Sequence, residues 1–183
     1  MRRKIILDLA VTLDGFIEGP NGEIDWCIMD DDMGFDDFLA GIDTIFYGRA
    51  SYDMWGNHRP ATDASPAEVR LWESVHAKKK YVFSRQPKED PRATYICSDI
   101  VAQVKAIRSQ PGKDIWLYGG AGLIKSFVRE GLVDRYQLSV HPIVLGNGKM
   151  LFEGLEDRLP LRLIKTNTFR SGVVQLIHGP VTM

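Results

Sequence analysis

The sequence predicts an α/β fold, a sheet flanked by helices and closed by an antiparallel C-terminal edge. Three observations carry this reading. Apolar, strand-like runs alternate with helix-spaced hydrophobics from Ile5 to Val128. From Tyr136 onward, β runs follow one another without a clear helix between them. The 183 residues, 44% hydrophobic and 26% charged, suit one ordinary globular domain spanning residues 1–183 and burying its own core. Alternation indicates parallel strands with crossover helices, and the final consecutive strands indicate an antiparallel edge.

The elements follow in order. Ile5 to Val11 is apolar apart from Asp8 and suits a first buried strand. Basic residues before an apolar run resemble a secretion signal, but Asp8 interrupts the run, Asp14 follows it, and no small-residue cleavage site appears. Phe35, Phe38, Leu39 and Ile42 have helical spacing, and Thr44–Tyr47 reads as a strand ending at Gly48 and turning into a helix. Asn57 to Pro66 is a polar loop. Ser65, Pro66 and Glu68 form a capping-box start for the next helix. Lys78-Lys79-Lys80 reads as a solvated helix end, Lys80–Ser84 as a strand, and Ala93–Cys97 as a short one. Asp99 is expected to cap a helix carrying Val101, Val104 and Ile107. Ile115–Tyr118 is a strand running into Gly119-Gly120-Ala121-Gly122, and a helix with Leu123, Ile124, Phe127 and Val128 follows. Tyr136–Leu145 reads as one long β run, and Leu161–Thr168 with Val173–His178 as a closing hairpin.

Composition excludes several functions. Twenty-three Lys and Arg against 24 Asp and Glu leave no broad basic surface for nucleic acid or anionic membrane. No apolar stretch approaches the roughly 20 residues that span a bilayer. Cys27 and Cys97 form neither a CxxC pair nor a disulfide framework, so a reducing cytoplasm is expected. His58, His76, His141 and His178 lack metal-ligand spacing, and the acids of Asp30–Asp32, Asp36 and Asp37 lack the glycine and distal Glu of a calcium loop. Those acids read instead as helix N-terminal charges, and no metal is expected.

Three strand ends carry ligand-binding chemistry. In Gly48-Arg49-Ala50-Ser51-Tyr52, a glycine lets the backbone turn into a helix whose N–H groups face an anion, and Arg49 and Ser51 add a guanidinium and a hydroxyl. A turn with a solvated arginine is the bland reading. Ser84-Arg85 repeats the chemistry at another strand end, where ligands of open α/β sheets sit. The third is Gly119 to Ser126. It fails as a Walker A loop, because Ile124 stands where the second glycine belongs, and as G-x-G-x-x-G, because Lys125 replaces the last glycine. Small residues before a helix still allow close approach to a pyrophosphate, or simply tight strand–helix packing. Asp14-Gly15 is either a turn or a carboxylate beside a ligand. Trp26, Trp55, Trp72 and Trp116 are core candidates, with Trp26 and Trp55 placed to line a flat pocket.

These segments resemble a known family in order. Thr12-Leu13-Asp14-Gly15-Phe16-Ile17 is similar to its S/T-L-D-G-x-I signature, and Asp43 to Tyr52 to D-x-x-x-x-G-R-x-[ST]-[YW]. Ile115 to Ile124 resembles its strand and G-G-x-x-[LIV] loop. Leu132-Val133-Asp134 and Pro142 to Gly148 resemble L-V-D-E and P-V-x-L-G-x-G, with Arg135 in place of the Glu. Together they resemble the RibD C-terminal domain family, which shares the dihydrofolate reductase fold. The G-R-x-S-Y segment is nearer the stand-alone and dihydrofolate reductase pattern than that of the riboflavin-pathway enzyme.

The resemblance implies a dihydrofolate reductase-like mixed, mostly parallel sheet with flanking helices, and a cleft for NADPH. It places Ala10, Val11 and Ile17 near the nicotinamide and its ribose, and Gly48, Arg49, Ser51 and Tyr52 at the phosphates. It places Ser84 and Arg85 near the adenosine and its 2′-phosphate, and Gly119, Gly120, Ala121, Gly122, Leu123 and Ile124 around the pyrophosphate. Asp32 or Asp36 would be the counterpart of the carboxylate that contacts pterin. The implied activity is an NADPH-dependent reduction of a small pyrimidine- or pteridine-type heterocycle. It would be similar to that of 5-amino-6-(5-phosphoribosylamino)uracil reductase or dihydrofolate reductase, with water or Asp14 as proton source. The alternative is an NADP-binding module without turnover. A homodimer is expected from the resemblance and the apolar late strands.

Overall fold

The computed structural model describes residues 2–56 and 58–181, with the side chain of Asp31 outside that description, as is Asn57 at the head of the expected loop. An eight-stranded sheet forms the frame. Its strands are β1 (Ile5–Thr12), β3 (Ile42–Gly48), β4 (Lys79–Phe83), β5 (Thr94–Ile96), β6 (Asp114–Gly119), β7 (Arg135–His141), β9 (Leu161–Thr168) and β10 (Val174–Pro180). Their spatial order is β5-β4-β3-β6-β1-β7-β10-β9. All neighbours are parallel through β7, and β10 then pairs antiparallel with both β7 and β9. The expected mixed sheet with an antiparallel C-terminal edge is therefore present. A small second sheet pairs β2 (Phe16–Glu18) with β8 (Lys149–Met150), neither of which has a sequence signal of its own.

Because both faces of the parallel part are covered, its strands are apolar nearly throughout. Alternate residues feed two separate cores. Ile5, Leu7, Phe46, Ile115 and Leu117 pack with α4 (Ile100–Ser109) and α5 (Ala121–Arg129) on one face. Ile45, Tyr47, Val82 and Trp116 pack on the other with α1 (Phe35–Ala40) and α3 (Pro66–His76). Phe46, Phe83 and Phe127 meet edge-to-face with centroids 5.2–5.8 Å apart. Truncating such a buried ring to Ala costs about 3–5 kcal/mol.

Several local expectations are corrected. The helix over Phe35–Ile42 ends at Ala40, and Ile42 opens β3. The helix after Gly48 is only α2 (Arg49–Ser51), passing into a π turn over Tyr52–Gly56. Gly56 lies against the Tyr52 ring, where a Cβ would come within 2.1 Å of Cδ2. Lys79 and Lys80 belong to β4, not to a solvated helix end. Lys80 is buried, its ammonium donating to the carbonyls of His76 (2.7 Å) and Lys78 (3.2 Å). Ser65 caps α3 as expected, accepting from the Glu68 N–H at 3.2 Å, whereas Asp99 takes a left-handed conformation (φ 48°) and makes no side-chain cap to α4. The long β run stops at His141, because Pro142 has no N–H for the ladder and Ile143 N–H turns back to the His141 carbonyl at 2.8 Å.

Candidate functional site

The chain reverses its order across the sheet around β1. After β3, β4 and β5 step outward, β6 returns between β3 and β1, and β7 continues on the far side. Ligands of open α/β sheets bind outside the carboxyl ends of strands at such a point. Two adjoining cavities occupy it.

The first, about 480 Å³, lies at the ends of β3, β4 and β5 and at the turn after β6. Gly48, Arg49 and Ser51 line it from β3 and α2, Ser84 and Arg85 from the end of β4, and Gly120, Ala121, Gly122 and Leu123 from the start of α5. The glycines are required by close approach. A Cβ on Gly48 would lie 3.2 Å from the Gly120 nitrogen, and one on Gly120 would lie 3.0 Å from Ser51 Oγ. Gly119 has φ +116°, a conformation that favours glycine, and its peptide to Gly120 is cis. Gly122 has open space where a Cβ would project. The N–H groups of Ala121 and Gly122 open α5 and so have no intrahelical partner. Three cations face this cavity: Arg49, Arg85 and Lys149. Arg49 pairs with Asp53 at 3.3 Å, and Lys149 pairs with Glu18. The Ser84 hydroxyl is held in its own turn, donating to the Gln86 carbonyl at 2.8 Å.

The second cavity, about 400 Å³, is walled by aromatic rings of Phe35, Phe38, Trp55, Trp72, Trp116 and Tyr118. Trp55 and Trp72 lie nearly parallel, 5° apart with centroids at 6.2 Å. Its floor is the face of β1, β7 and β10, and that floor is polar. Asp8 is in register with Gln137, and Ser139 with both Ala10 and Gln175. Asp8 accepts from the Gln137 side-chain amide, and its backbone carbonyl accepts from the Trp116 indole N–H at 2.9 Å. Gln175 accepts from the Asn167 amide at 2.9 Å. Asp8 is only 8% exposed, and burial pushes its carboxyl up to about 7, while the Gln137 bond pulls it partly back. Burial, with a smaller contribution from Asp25, pushes the Cys27 thiol up to about 11, and burial raises the Tyr118 phenol. Glu18, Ser51, Trp55 and Gly120 line both cavities, so the two share a wall.

The structure thus brings nine of the expected cofactor residues together in the first cavity and sends others elsewhere. Ala10 and Ile17 line the second cavity, as does Ile124, a core residue of α5 rather than part of the glycine turn's open face. Val11 is packed in the core. Tyr52 lies outside both cavity linings: its ring is fully buried, and its hydroxyl donates to Asp90 at 3.0 Å. Burial and the Asp90 bond push that phenol up to about 12. Asp14 faces neither cavity. Its carboxylate accepts from Thr12 Oγ1 (2.6 Å), Leu145 N–H (3.2 Å) and Gly146 N–H (2.8 Å), and the Thr12 bond chiefly holds its carboxyl below the ordinary range. The turn reading of Asp14-Gly15 is the one realised. Neither Asp32 nor Asp36 lines the second cavity; the acid at its floor is Asp8.

Asp8, Gln137, Ser139 and Gln175 were missed by sequence reasoning, yet they leave a signal. Asp8 breaks an apolar β run, and Gln137, Ser139 and His141 alternate with Tyr136, Leu138 and Val140 in a central strand, which is the period of one polar face. Lys149 and Glu18 had no signal, because β2 and β8 are too short to read. Among the described residues, no group of three or more His, Cys, Asp or Glu could hold a metal ion. Among them also, no helix is long and apolar enough to cross a membrane.

Comparison with known proteins places this geometry. Residues 3–175 match the RibD C-terminal domain. Two Bacillus subtilis (strain 168) proteins, both uncharacterized, are similar over nearly their full lengths. YyaP is 57% identical over 97% of this chain and 95% of its own, and YwjB is 33% identical over 94% and 96%. Among solved structures, a Shewanella sp. PV-4 protein provisionally assigned to riboflavin biosynthesis superposes with a TM-score of 0.80 at 23% identity, covering 100% of both chains. The Thermotoga maritima diaminohydroxyphosphoribosylaminopyrimidine deaminase/5-amino-6-(5-phosphoribosylamino)uracil reductase superposes with 0.71 at 13% identity, over 98% of this chain and 57% of its own. At these identities the structural likeness is one of fold.

Proposed function

Since the chain belongs to the RibD C-terminal domain family, we propose that it is an NADPH-dependent reductase of a small heterocycle of pyrimidine or pteridine type. The observation that carries this reading is the pair of adjoining cavities at the strand-order reversal, one cationic and glycine-lined, the other aromatic with a polar floor. Hydride transfer needs two molecules bound side by side, and the sharing of Glu18, Ser51, Trp55 and Gly120 by both cavities supports that arrangement.

The residues of the first cavity fit a dinucleotide. Gly122 leaves open space beside the start of α5, and Arg49, Arg85 and Lys149 offer positive charge. Gly120, Ala121 and Gly122 would hold the pyrophosphate, Ser51 and Arg49 the adjoining phosphate oxygens, and Arg85 the 2′-phosphate. Ala10 and Ile17 would face the nicotinamide. When bound, the cofactor supplies the hydride and leaves as NADP⁺. Asp8, whose buried carboxyl is pushed up to about 7, would give or take a proton at the ring, and the aromatic walls would flank the ring being reduced. Asp14, bonded within its turn and lining neither cavity, has less support for this role. The free thiols Cys27 and Cys97 support a reducing cytoplasm, and Leu163 and Ile164, exposed on edge strand β9, support a homodimer.

Turnover decides between this reading and a nucleotide-binding module without chemistry. With a panel of pterins and aminopyrimidines, loss of reduced-nicotinamide absorbance is expected for at least one compound. Saturable NADPH binding with no oxidation across the panel would favour the module.

A further inference from the structure

We propose that the second cavity takes a heterocycle carrying no phosphate, and that Asp8 and Gln137 hold the ring by its hydrogen-bonding edge. This inference rests on the reductase reading of the same site and narrows its substrate class. It starts from the distribution of charge. Among the described residues that line the second cavity, none is Lys or Arg, and the acids are Asp8 and Glu18. Glu18 is already paired with Lys149, which lines only the first cavity. Every lining cation of the two cavities therefore lies on the cofactor side.

A phosphate bound in protein needs charge-assisted donors, typically Arg, Lys or a helix start. The second cavity offers aromatic and aliphatic walls, and its helix start at Gly34 and Phe35 belongs to the six-residue α1, whose first turn carries Asp36 and Asp37 and so opposes a phosphate. Moving a phosphate from water into such walls leaves its charge uncompensated, and Asp8 adds a like charge whenever it ionises. A neutral flat ring meets none of these costs and gains contact with the Trp55, Trp72 and Trp116 faces.

The polar floor specifies the edge of that ring. Asp8 and Gln137 lie opposite each other on parallel strands and are already hydrogen-bonded. A carboxyl group presents two oxygens in one plane, and the amide beside it has a carbonyl oxygen and a second N–H. When ionised, the carboxylate accepts two N–H bonds from an aminopyrimidine-type N–C–NH₂ edge. When protonated, it donates to a ring nitrogen or carbonyl and accepts from the adjacent N–H. Both edges belong to free bases and nucleosides of the pyrimidine and pterin classes. The feature is absent from any reading in which Asp14 or a helix acid handles the substrate.

The test is direct binding, followed by tryptophan fluorescence of the full-length protein. The probes are 2-amino-4-hydroxypyrimidine and a matched pair, 5-amino-6-ribosylaminouracil and its 5′-phosphate. The unphosphorylated member should bind at least about ten-fold more tightly than its phosphate, a difference of about 1.4 kcal/mol. The Asp8→Ala variant, which removes the hydrogen-bonding group and whose folding is checked by circular dichroism, should bind both unphosphorylated rings about ten-fold or more weakly while its NADPH Kd stays within about two-fold of wild type. Equal or tighter binding of the phosphate, unchanged ring binding by Asp8→Ala, or no binding of either unphosphorylated ring would overturn the inference. Failure of the wild-type protein to bind NADPH would instead defeat the reductase reading, and the ranking of the matched pair would still decide this one.

Discussion

Two aspartates six residues apart have opposite fates. Asp14 sits in a turn with three hydrogen bonds to its carboxylate, whereas Asp8 is buried at the floor of a cavity with one. Their charges therefore act on stability with opposite sign. Asp14 titrates below its unfolded value, so its stabilisation is present at neutral pH and fades as pH falls through the folded value, below the ordinary 3.8. Asp8 has a folded value near 7 against an ordinary 3.8, so wild-type stability falls as pH rises between about 4 and 7 and levels off above. A displacement of that size corresponds to about 4 kcal/mol at full effect. Thermal melts across pH 3–8 should show Asp14→Ala below wild type at neutral pH, with the gap narrowing toward pH 3. Asp8→Asn should rise above wild type as pH increases from 4 to 7. A flat Asp8→Asn difference would show that this carboxyl titrates normally. Sequence alone exposed Asp14, because Asp-Gly is a legible turn dipeptide. It noted Asp8 only as an interruption, because which face of a central strand meets a cavity depends on neighbouring strands far away in the chain.

At the scale of elements, the glycine turn between β6 and α5 shows what local chemistry can and cannot reveal. Its small residues announced close approach, and the structure supplies the partners: Gly48 at the end of β3 and Ser51 in α2. Ile124, the residue that excludes a Walker A loop, is a core anchor whose Cδ1 would lie 3.1 Å from a Cβ on Gly119. With φ +116° at Gly119, the Gly119→Ala variant should lose on the order of 1–3 kcal/mol in urea unfolding and bind NADPH more weakly. Unchanged stability would mean that the turn relaxes freely. Strands with strong apolar runs, such as β3 and β6, were legible at their centres, though β3 begins two residues earlier than the run suggests, at Ile42. The three-residue α2 and its π turn were not, because the packing of Gly56 on Tyr52 sets that geometry and sequence periodicity does not encode it. Lys80 was read correctly as strand but wrongly as solvated: three lysines in a row suggest solvent, but two carbonyls near the end of α3 hold its ammonium inside.

For the whole molecule, the formal net charge of −1 excludes a broadly basic surface but conceals a division. Arg49, Arg85 and Lys149 face one cavity, and Asp8 lies at the floor of the other. The order of strands and helices was readable because each parallel strand is buried on both faces and each crossover helix carries its own apolar stripe. The division was not readable, because the sheet's reversal around β1 brings residues 8, 49, 85, 120 and 137 to one end of the molecule. The central claim is that the cationic cavity holds NADPH through its phosphates. Fluorescence titration of NADPH and NADH into wild type, Arg49→Ala and Arg85→Ala tests it most directly. The account predicts saturable NADPH binding well below ~1 mM, the loose end of ordinary substrate constants, with Arg85→Ala weakening NADPH more than NADH. No NADPH binding at ~1 mM, or equal losses for the two nucleotides in the Arg85→Ala protein, would contradict it.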